Sequence, residues 1–225
     1  MAQHSSVRAG VRAALPLGPP TFLLGASFGV LARPVMGWLA PIVMSVVVFS
    51  GAAQFAALSV LAAGGAAGAA ILAGVLMNAR WLPMGFAIAP SLPGGAPARA
   101  AQAQAIVDAS FVMASRGDGT FDRGLLLGAT AVQTVAWWTG TALGVLVGPA
   151  LPDPKKLGLD AIFPAFYLAL LVAEARGRRA LLAAAVGAAV TAALMPFAPV
   201  GLPIIAACVG ALVGLRGAAA SGGQA

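Results

Sequence analysis

Long apolar runs dominate the chain, and charged residues are confined to the short stretches between them. No charged residue lies between Arg33 and Arg80, a stretch that would extend about 69 Å as one helix at about 1.5 Å per residue. The hydrocarbon core of a bilayer is only about 30 Å thick, so this stretch must fold back on itself. Segments 124–152 and 180–215 are also free of charge. The pattern therefore predicts several membrane-spanning helices.

Interruptions by Gly, Pro and charged residues divide the apolar runs into eight predicted spans. Their approximate bounds are 14–32, 38–62, 66–89, 100–116, 124–149, 159–175, 180–196 and 200–216. The fourth span carries Gln102, Gln104 and Asp108, and the last two spans are short, so seven spans is the alternative. We predict an all-α fold, a polytopic transmembrane helical bundle that forms one integral-membrane domain over residues 1–225.

A faint internal repeat predicts two related halves, at about 14–90 and 124–216, joined by segment 100–116. Its clearest copies are Gly29-Val30-Leu31 and Gly144-Val145-Leu146. The copies are parallel if the joining segment crosses the membrane and inverted if it does not, and both arrangements occur in transporters. Chance similarity between segments rich in Gly, Leu and Val is the alternative.

Glycines at four-residue spacing predict close approach of helix backbones, since small residues let helices pack inside a bilayer. These glycines are Gly25 and Gly29, Gly64 and Gly68, Gly140, Gly144 and Gly148, and Gly210 and Gly214. The spacing indicates packing and carries no information about function.

Composition and charge agree with a membrane protein. The 225 residues are 60% hydrophobic and 8% charged, against roughly 25% charged in a soluble domain, which disfavours a water-soluble fold. A net charge of +7 would indicate an acidic partner in a soluble protein, but basic residues between spans act as topology signals. With the N-terminus in the cytoplasm, the inside segments hold Arg8, Arg12, Arg116, Arg123, Arg176, Arg178, Arg179 and Arg216, and the outside loops hold Arg33, Arg99, Lys155 and Lys156. We therefore predict that both termini are cytoplasmic, with the bilayer and no nucleic acid as partner.

The residue inventory disfavours an enzyme. The one histidine, His4, lies in a polar N-terminal segment, and the one cysteine, Cys208, lies in an apolar run. A Ser-His hydrolase and a metal site built from His or Cys therefore lack their central residues. No Walker A or dinucleotide-binding sequence is present. We predict no catalytic residue, no metal and no cofactor.

A few polar residues inside the predicted spans, near Gly or Pro, are the candidates for a substrate site. Where Gly or Pro interrupts a span, freed backbone groups at half-helix ends can bind the carboxylate and ammonium of an amino acid. The predicted substrate-binding residues are Ser50, Gly51, Gln54, Asn78, Arg80 and Phe111, with Phe55 or Trp137 as further apolar walls. The alternative for Gln54 and Asn78 is a hydrogen bond between helices. The alternative for Arg80 is that its side chain extends to the membrane interface.

Asp108 is the costliest polar residue in the predicted spans. A carboxylate at mid-bilayer costs on the order of 2.5 to 3.5 kcal/mol, so it should face a partner or a water-filled cavity. Gln104, Asp108, Phe111 and Ser115 would share one face if segment 100–116 were one helix. We predict proton coupling at Asp108; the alternatives are an ion pair with Arg80 alone, or a segment partly outside the membrane.

Several segments together resemble the AzlC-type family of branched-chain amino acid permeases. Ser27-Phe28-Gly29-Val30-Leu31-Ala32 and Ser50-Gly51-Ala52-Ala53-Gln54-Phe55 resemble its N-terminal signature. Asn78-Ala79-Arg80-Trp81 resembles its Asn-Leu-Arg-His segment, and Asp108-Ala109-Ser110-Phe111 its Asp-Glu-Ser-Phe segment. Gly158-Leu159-Asp160 and Pro164-Ala165-Phe166 resemble a later block. This chain departs from the family at Ala79, Trp81 and Ala109.

The resemblance implies a multi-pass protein of the bacterial inner membrane that exports small apolar amino acids such as leucine, isoleucine and valine. It further implies a small AzlD-type membrane subunit as partner and a proton gradient as the driving force, so we predict export by proton antiport. Another amino acid or an organic acid as substrate, on the same fold, is one alternative. A membrane scaffold subunit with no translocation pathway is the other.

Overall fold

The computed structural model describes residues 2–151 and 178–198, together with residues 156, 158, 161, 165, 168, 171, 172 and 206. The helices within 2–151 and 178–198 are α1 (Ala2–Ala14), α2 (Gly18–Met36), α3 (Leu39–Val47), α4 (Gly51–Ala62), α5 (Ala67–Asn78), α6 (Trp81–Ile88), α7 (Ala96–Ala103), α8 (Asp108–Ala114), α9 (Arg123–Val147) and α10 (Arg178–Leu194). One-turn 3-10 helices lie at Leu15–Leu17, Ala89–Ser91 and Gly148–Ala150. These residues contain no strand, so the prediction of an all-helical chain is confirmed for them.

The first predicted span is longer than expected. Helices α1 and α2 join through Leu15–Leu17 into a 31-residue apolar helix, Ser6–Met36, which meets the length and hydropathy needed to cross a membrane. At about 1.5 Å per residue it extends about 46 Å, more than the hydrocarbon core of about 30 Å. Among the described residues it is the one such helix, or one of two if α5 and the segment Trp81–Ser91 form a single broken span. A bundle of eight or seven spans is therefore not confirmed, and predicted spans 159–175 and 200–216 lie largely outside the described residues.

The second predicted span, 38–62, is broken between α3 and α4. Phe49 at the break has a φ of 44°, a backbone conformation that is uncommon for a residue other than glycine. Gly51 begins α4, and the Ser50 hydroxyl accepts a hydrogen bond from the Ala53 N–H at 3.4 Å, as a helix-capping serine does. The interruption predicted at Ser50 and Gly51 is therefore present, and it leaves a half-helix end inside an apolar stretch.

The prediction that segment 100–116 is one helix is wrong. Helix α7 ends at Ala103 and helix α8 begins at Asp108, and the backbone between them is extended at Val107. The Ser110 hydroxyl accepts from the Val107 N–H at 3.2 Å and donates to the Ala105 carbonyl oxygen at 3.0 Å. These side-chain hydrogen bonds take the place of helical backbone hydrogen bonds there. Gln104 and Asp108 therefore belong to different elements and do not share a helix face.

Helices α2 and α9 pack in parallel at a glycine contact. A Cβ atom on Gly25 would lie 2.6 Å from the Trp137 carbonyl oxygen, and one on Gly29 would lie 2.8 Å from the Val145 nitrogen. The contact is reciprocal, because a Cβ on Gly140 would lie 3.0 Å from the nitrogen of Ala26. Contacts advance in the same direction along both helices, so α2 and α9, which begin the two predicted halves, are parallel. The three glycines allow this approach because any side chain would collide with the opposite backbone.

The described chain divides into two compact units. The first contains residues 1–54 and 78–154, and the second contains residues 55–77 and 155–225. Each unit includes segments from both predicted repeat halves. The first unit has an apolar cluster formed by Ile88, Leu92, Ile106, Ala114 and Leu126. In the second unit, Ala70 and Ala73 of α5 are buried.

Candidate functional site

Four side chains from three helices form a hydrogen-bonded group inside the first unit. We call Ser45, Gln54, Trp137 and Thr141 the buried polar cluster; their exposed fractions range from 0% to 5%. The Gln54 Nε2 donates to the Ser45 Oγ at 2.8 Å, and the Trp137 Nε1 donates to the Gln54 Oε1 at 3.1 Å. The Ser45 and Thr141 hydroxyl oxygens are 3.0 Å apart. Both ends of the Gln54 amide are thus bonded, as burial of an amide requires.

The chain places this cluster beside the α3–α4 break. Ser45 lies on the last turn of α3 and Gln54 on the first turn of α4, so the break brings the two residues to the same point on α9. The Trp138 Nε1 donates to the Ser45 carbonyl oxygen at 3.1 Å, which bonds α9 to the end of α3. The Trp137 ring stacks on Phe28 of α2, with ring centroids 6.3 Å apart. A strained turn, a helix end and a polar cluster therefore occur together.

Ser50 and Asn78 connect this break to a second one. The Ser50 Oγ donates to the Asn78 Oδ1 at 2.7 Å. Asn78 is the last residue of α5, and the two-residue break Ala79–Arg80 follows it before α6 begins. Ser50 is 3% exposed, so this bond joins a buried hydroxyl to a helix end. Two predicted site residues that are far apart in sequence are thus direct partners.

Arg80 and Asp108 form an ion pair. The Arg80 Nη2 lies 2.9 Å from the Asp108 Oδ2, and the two side chains are 34% and 53% exposed. Arg80 begins the turn into α6, and Asp108 is the first residue of α8, where a helix N-terminus favours negative charge. The Arg80 Nε is buried and has no hydrogen-bond partner among the described residues. The ion pair weighed as an alternative for Asp108 is therefore present.

Phe111 lies apart from the buried polar cluster. Its ring packs against Phe121, with centroids 4.7 Å apart, and it borders the apolar cluster around Ile88 and Leu126. Phe55, the other phenylalanine proposed as a wall, begins the second unit and is 9% exposed. Phe111 thus packs among apolar side chains.

A cavity of about 410 Å³ lies between α6 and α7 in the first unit. Its walls include Asn78, Trp81, Leu82, Phe86, Leu92 and Arg99. The Trp81 Nε1 is buried and has no hydrogen-bond partner among the described residues. Of the predicted site residues, Asn78 lines this cavity. Gln54 is hydrogen-bonded to Trp137 and Asp108 is paired with Arg80.

A polar turn precedes α9. The Arg116 Nη2 lies 2.9 Å from the Asp122 Oδ2, and the Asp122 Oδ1 accepts from the Gly124 and Leu125 N–H groups at the start of α9. Partial burial by itself raises the pKa of Asp122, but the hydrogen bonds from Leu125 and Arg116 outweigh it and leave that pKa below its ordinary value. In the same turn, hydrogen bonds from the Thr120 hydroxyl and N–H lower the pKa of Asp118.

The sequence predicted Trp137 as an apolar wall of the site, whereas its indole N–H donates to Gln54. Trp138 was not singled out at all. The four-residue spacing of Trp137 and Thr141 was the available signal, since it places them on one face of α9. Which helix meets that face could not be read from the spacing.

Comparison with known proteins gives one match. The family model described as AzlC protein matches residues 16–151, more than half of the 225-residue chain. Comparison with curated proteins and with solved structures gave no match. The matched range contains both helix breaks, the buried polar cluster and the Arg80–Asp108 ion pair.

Proposed function

The chain belongs to the AzlC family, and on that basis we propose that it is a secondary transporter that exports small apolar amino acids from bacteria. The family is associated with branched-chain amino acid transport and with membranes. Leucine, isoleucine and valine, or amino acids of similar size and polarity, are the proposed substrates. The proposed location is the inner membrane, with both termini in the cytoplasm.

The observation that carries this proposal is the buried polar cluster beside the α3–α4 break. A buried cluster of hydroxyl, amide and indole groups costs free energy to desolvate, so an apolar packing would serve a purely structural helix contact at lower cost. Half-helix ends beside such groups are a recurrent place for amino acid binding in secondary transporters. Ser50, Gly51 and Gln54 lie at this break, where a freed N–H or amide would bind a substrate carboxylate.

Proton coupling is proposed at the Arg80–Asp108 pair. The ionised Asp108 would bind the substrate ammonium in place of Arg80, and Arg80 would bind the substrate carboxylate through its planar guanidinium. A proton on Asp108 would remove the charge that holds the ammonium and would release the amino acid. Proton and substrate would then exclude each other, as proton antiport requires. The partial exposure of both side chains supports access for a proton.

A small AzlD-type membrane subunit is proposed as partner. Large apolar side chains on α5 are mostly exposed, among them Ile71 at 67%, Leu72 at 57% and Val75 at 60%. Such a surface suits either lipid or a second membrane protein, because both present apolar atoms. The transport assay below includes the subunit as a separate variable for this reason.

A scaffold subunit without a translocation pathway is the second candidate. One observation favours it: Gln54 is bonded to Ser45 and Trp137, Asn78 to Ser50, and Asp108 to Arg80. Polar groups that satisfy one another inside the protein can serve helix packing alone. The two candidates differ in whether these groups exchange partners during a transport cycle.

Efflux of preloaded amino acids tests the proposal. Cells expressing the chain, with and without an AzlD-type subunit, are loaded with radiolabelled leucine, alanine or glutamate, and Asp108→Asn is compared with the wild type. Asp118→Asn is the matched control, because Asp118 is an exposed loop aspartate bonded to Thr120. We expect leucine efflux that collapses in Asp108→Asn, persists in Asp118→Asn and is abolished by a protonophore.

The other outcomes separate the candidates. Absence of efflux for every substrate, with or without the subunit, would favour the scaffold. Leucine efflux that Asp108→Asn leaves intact would retain the transporter and remove Asp108 from proton coupling. Efflux of glutamate in place of leucine would change the substrate class.

A further inference from the structure

The cavity between α6 and α7 is separate from the buried polar cluster and has its own set of polar groups. Its volume of about 410 Å³ lies within the range of small-molecule sites, which is roughly 300 to 1,000 Å³. Leu82, Phe86 and Leu92 make its walls largely apolar. A ligand that fills it must therefore have an aliphatic or other apolar body.

The polar groups on its wall supply hydrogen-bond donors, and one of them, the Trp81 indole, has no partner among the described residues. The Trp81 Nε1 is buried and unpaired among the described residues, which costs free energy unless a ligand accepts from it. The Arg99 Nε donates to the Gly94 carbonyl oxygen at 2.9 Å, which fixes the guanidinium and leaves its terminal nitrogens available. The Asn78 Oδ1 accepts from Ser50, so the Asn78 amide presents its Nδ2 donor.

The charges on the wall are unbalanced. Arg99 supplies one positive charge, and none of the described residues that line the cavity is acidic. Arg80, the other nearby cation along the chain, is paired with Asp108. A single carboxylate matches one guanidinium, whereas an ammonium group would enter an apolar cavity without a negative partner.

We propose that this cavity binds aliphatic monocarboxylates by the carboxylate alone, with no recognition of an ammonium group. Arg99 supplies the charge, the Trp81 indole N–H donates a hydrogen bond, and Leu82, Phe86 and Leu92 contact the aliphatic chain. Arg99 and Trp81 do not belong to the proposed transport site, and Asn78 is the residue that borders both. The inference therefore holds or fails independently of amino acid export.

Equilibrium dialysis of the purified chain in nanodiscs of neutral phosphatidylcholine tests the inference. The probe is carbon-14-labelled 4-methylpentanoate, which is leucine without its amino group. Leucine and leucinamide are the competitors, since leucinamide keeps the ammonium and lacks the carboxylate. We expect 4-methylpentanoate to bind, leucine to compete no better than it, and leucinamide to compete at least tenfold more weakly.

Variants assign the binding to the cavity. Arg99→Gln should weaken binding by about tenfold or more, because a charge-assisted bond is lost. Trp81→Phe should weaken it several-fold, since the ring stays and the donor is removed. Arg8→Gln is the matched control, an exposed arginine outside the cavity, and should leave binding unchanged.

The inference would be overturned by leucine competing better than 4-methylpentanoate, by leucinamide competing equally well, or by no binding of the probe to the wild type. Unchanged affinity in both Arg99→Gln and Trp81→Phe would also overturn it. If a variant fails to elute as a single folded species, the competition series on the wild type still decides the ligand class. No gradient or partner subunit is required, so a failure here is distinct from a failure of export.

Discussion

Gly29 of α2 and Gly144 of α9 lie backbone to backbone: a Cβ atom on Gly29 would be 3.1 Å from the Gly144 carbonyl carbon. One turn earlier, a Cβ on Gly25 would lie 2.6 Å from the Trp137 carbonyl oxygen and one on Gly140 would lie 3.0 Å from the Ala26 nitrogen, so the close contact continues along both helices. Two four-residue glycine motifs that the sequence shows separately are thus the two sides of one interface. These helices begin the two predicted halves of the chain, and they run parallel at this interface.

This contact predicts that Gly29→Ala destabilises the chain by about 1 to 3 kcal/mol. The added methyl group would meet the α9 backbone and force the helices apart, as overpacking of a close contact does. Gly68→Ala is the control, because a Cβ at Gly68 has nothing within 4 Å and alanine is the better helix former. Thermal unfolding in detergent measures both. Equal melting temperatures for the two variants would show that the α2–α9 contact does not limit stability.

The buried polar cluster predicts a cost for Trp137→Phe of about 1 to 3 kcal/mol. Phenylalanine keeps most of the ring contact but leaves the Gln54 Oε1 buried without its indole donor. Trp38→Phe is the matched control: Trp38 is 61% exposed and lies outside the cluster, so the loss should be smaller. Adding Gln54→Leu to Trp137→Phe should recover part of the loss, since both partners are then apolar. A double variant that loses the sum of the single losses would show that the two groups are not coupled.

The Arg80–Asp108 ion pair predicts different responses of stability and transport. Pairs with this exposure contribute only about 0.2 to 1 kcal/mol, so Asp108→Asn and Arg80→Gln should each leave the melting temperature nearly unchanged. Export should nevertheless be lost in both variants, because the proposed exchange needs a charge on each residue. Unfolding and efflux measured on the same preparations test this. A melting temperature that falls in parallel with efflux would assign the pair a structural role.

The lowered pKa of Asp122 predicts loss of stability in acid. A carboxylate whose pKa is lower in the folded chain stabilises it above the unfolded value of about 3.9, and that contribution disappears as pH falls through the folded pKa. Asp122→Asn keeps a residue that caps α9 well but cannot titrate, so its stability should change less than that of the wild type between pH 5 and pH 3. Asp122→Ala should lose about 1 kcal/mol already at pH 7. Unfolding measured across this pH range tests both, and identical acid profiles for wild type and Asp122→Asn would remove Asp122 as the titrating group.

The sequence by itself determined the features that depend on neighbouring residues. Apolar runs predicted helices, and helices occupy most of the described chain. The Ser50-Gly51 dipeptide predicted a break in an apolar stretch, and the chain breaks there because serine caps a helix start. The family could also be read from the sequence, since short motifs such as Ser50-Gly51-Ala52-Ala53-Gln54 are local strings.

Segment 100–116 shows where local reasoning failed. Its spacing of polar and aromatic residues fits one helix. The Ser110 hydroxyl instead accepts from the Val107 N–H, and a new helix begins at Asp108. Helical periodicity and side-chain competition for backbone groups act on the same residues, and spacing alone does not tell which one dominates. The same limit affects the span count, because a broken helix and a continuous one have similar hydropathy.

Only the tertiary structure decided which residues meet. Asp108 is paired with Arg80, Ser50 with Asn78, and Gln54 with Trp137, and each pair joins elements that are distant in sequence. Inside a bilayer, all apolar helix faces are as apolar as the lipid around them, so hydropathy does not determine which two helices pack together. Shape contributes to this choice: the glycines of α2 and α9 permit one close parallel contact, and Trp137 and Thr141 of α9 bond to Gln54 and Ser45 on the helices that follow α2. The sequence determined the elements and their breaks, while three-dimensional packing determined the site.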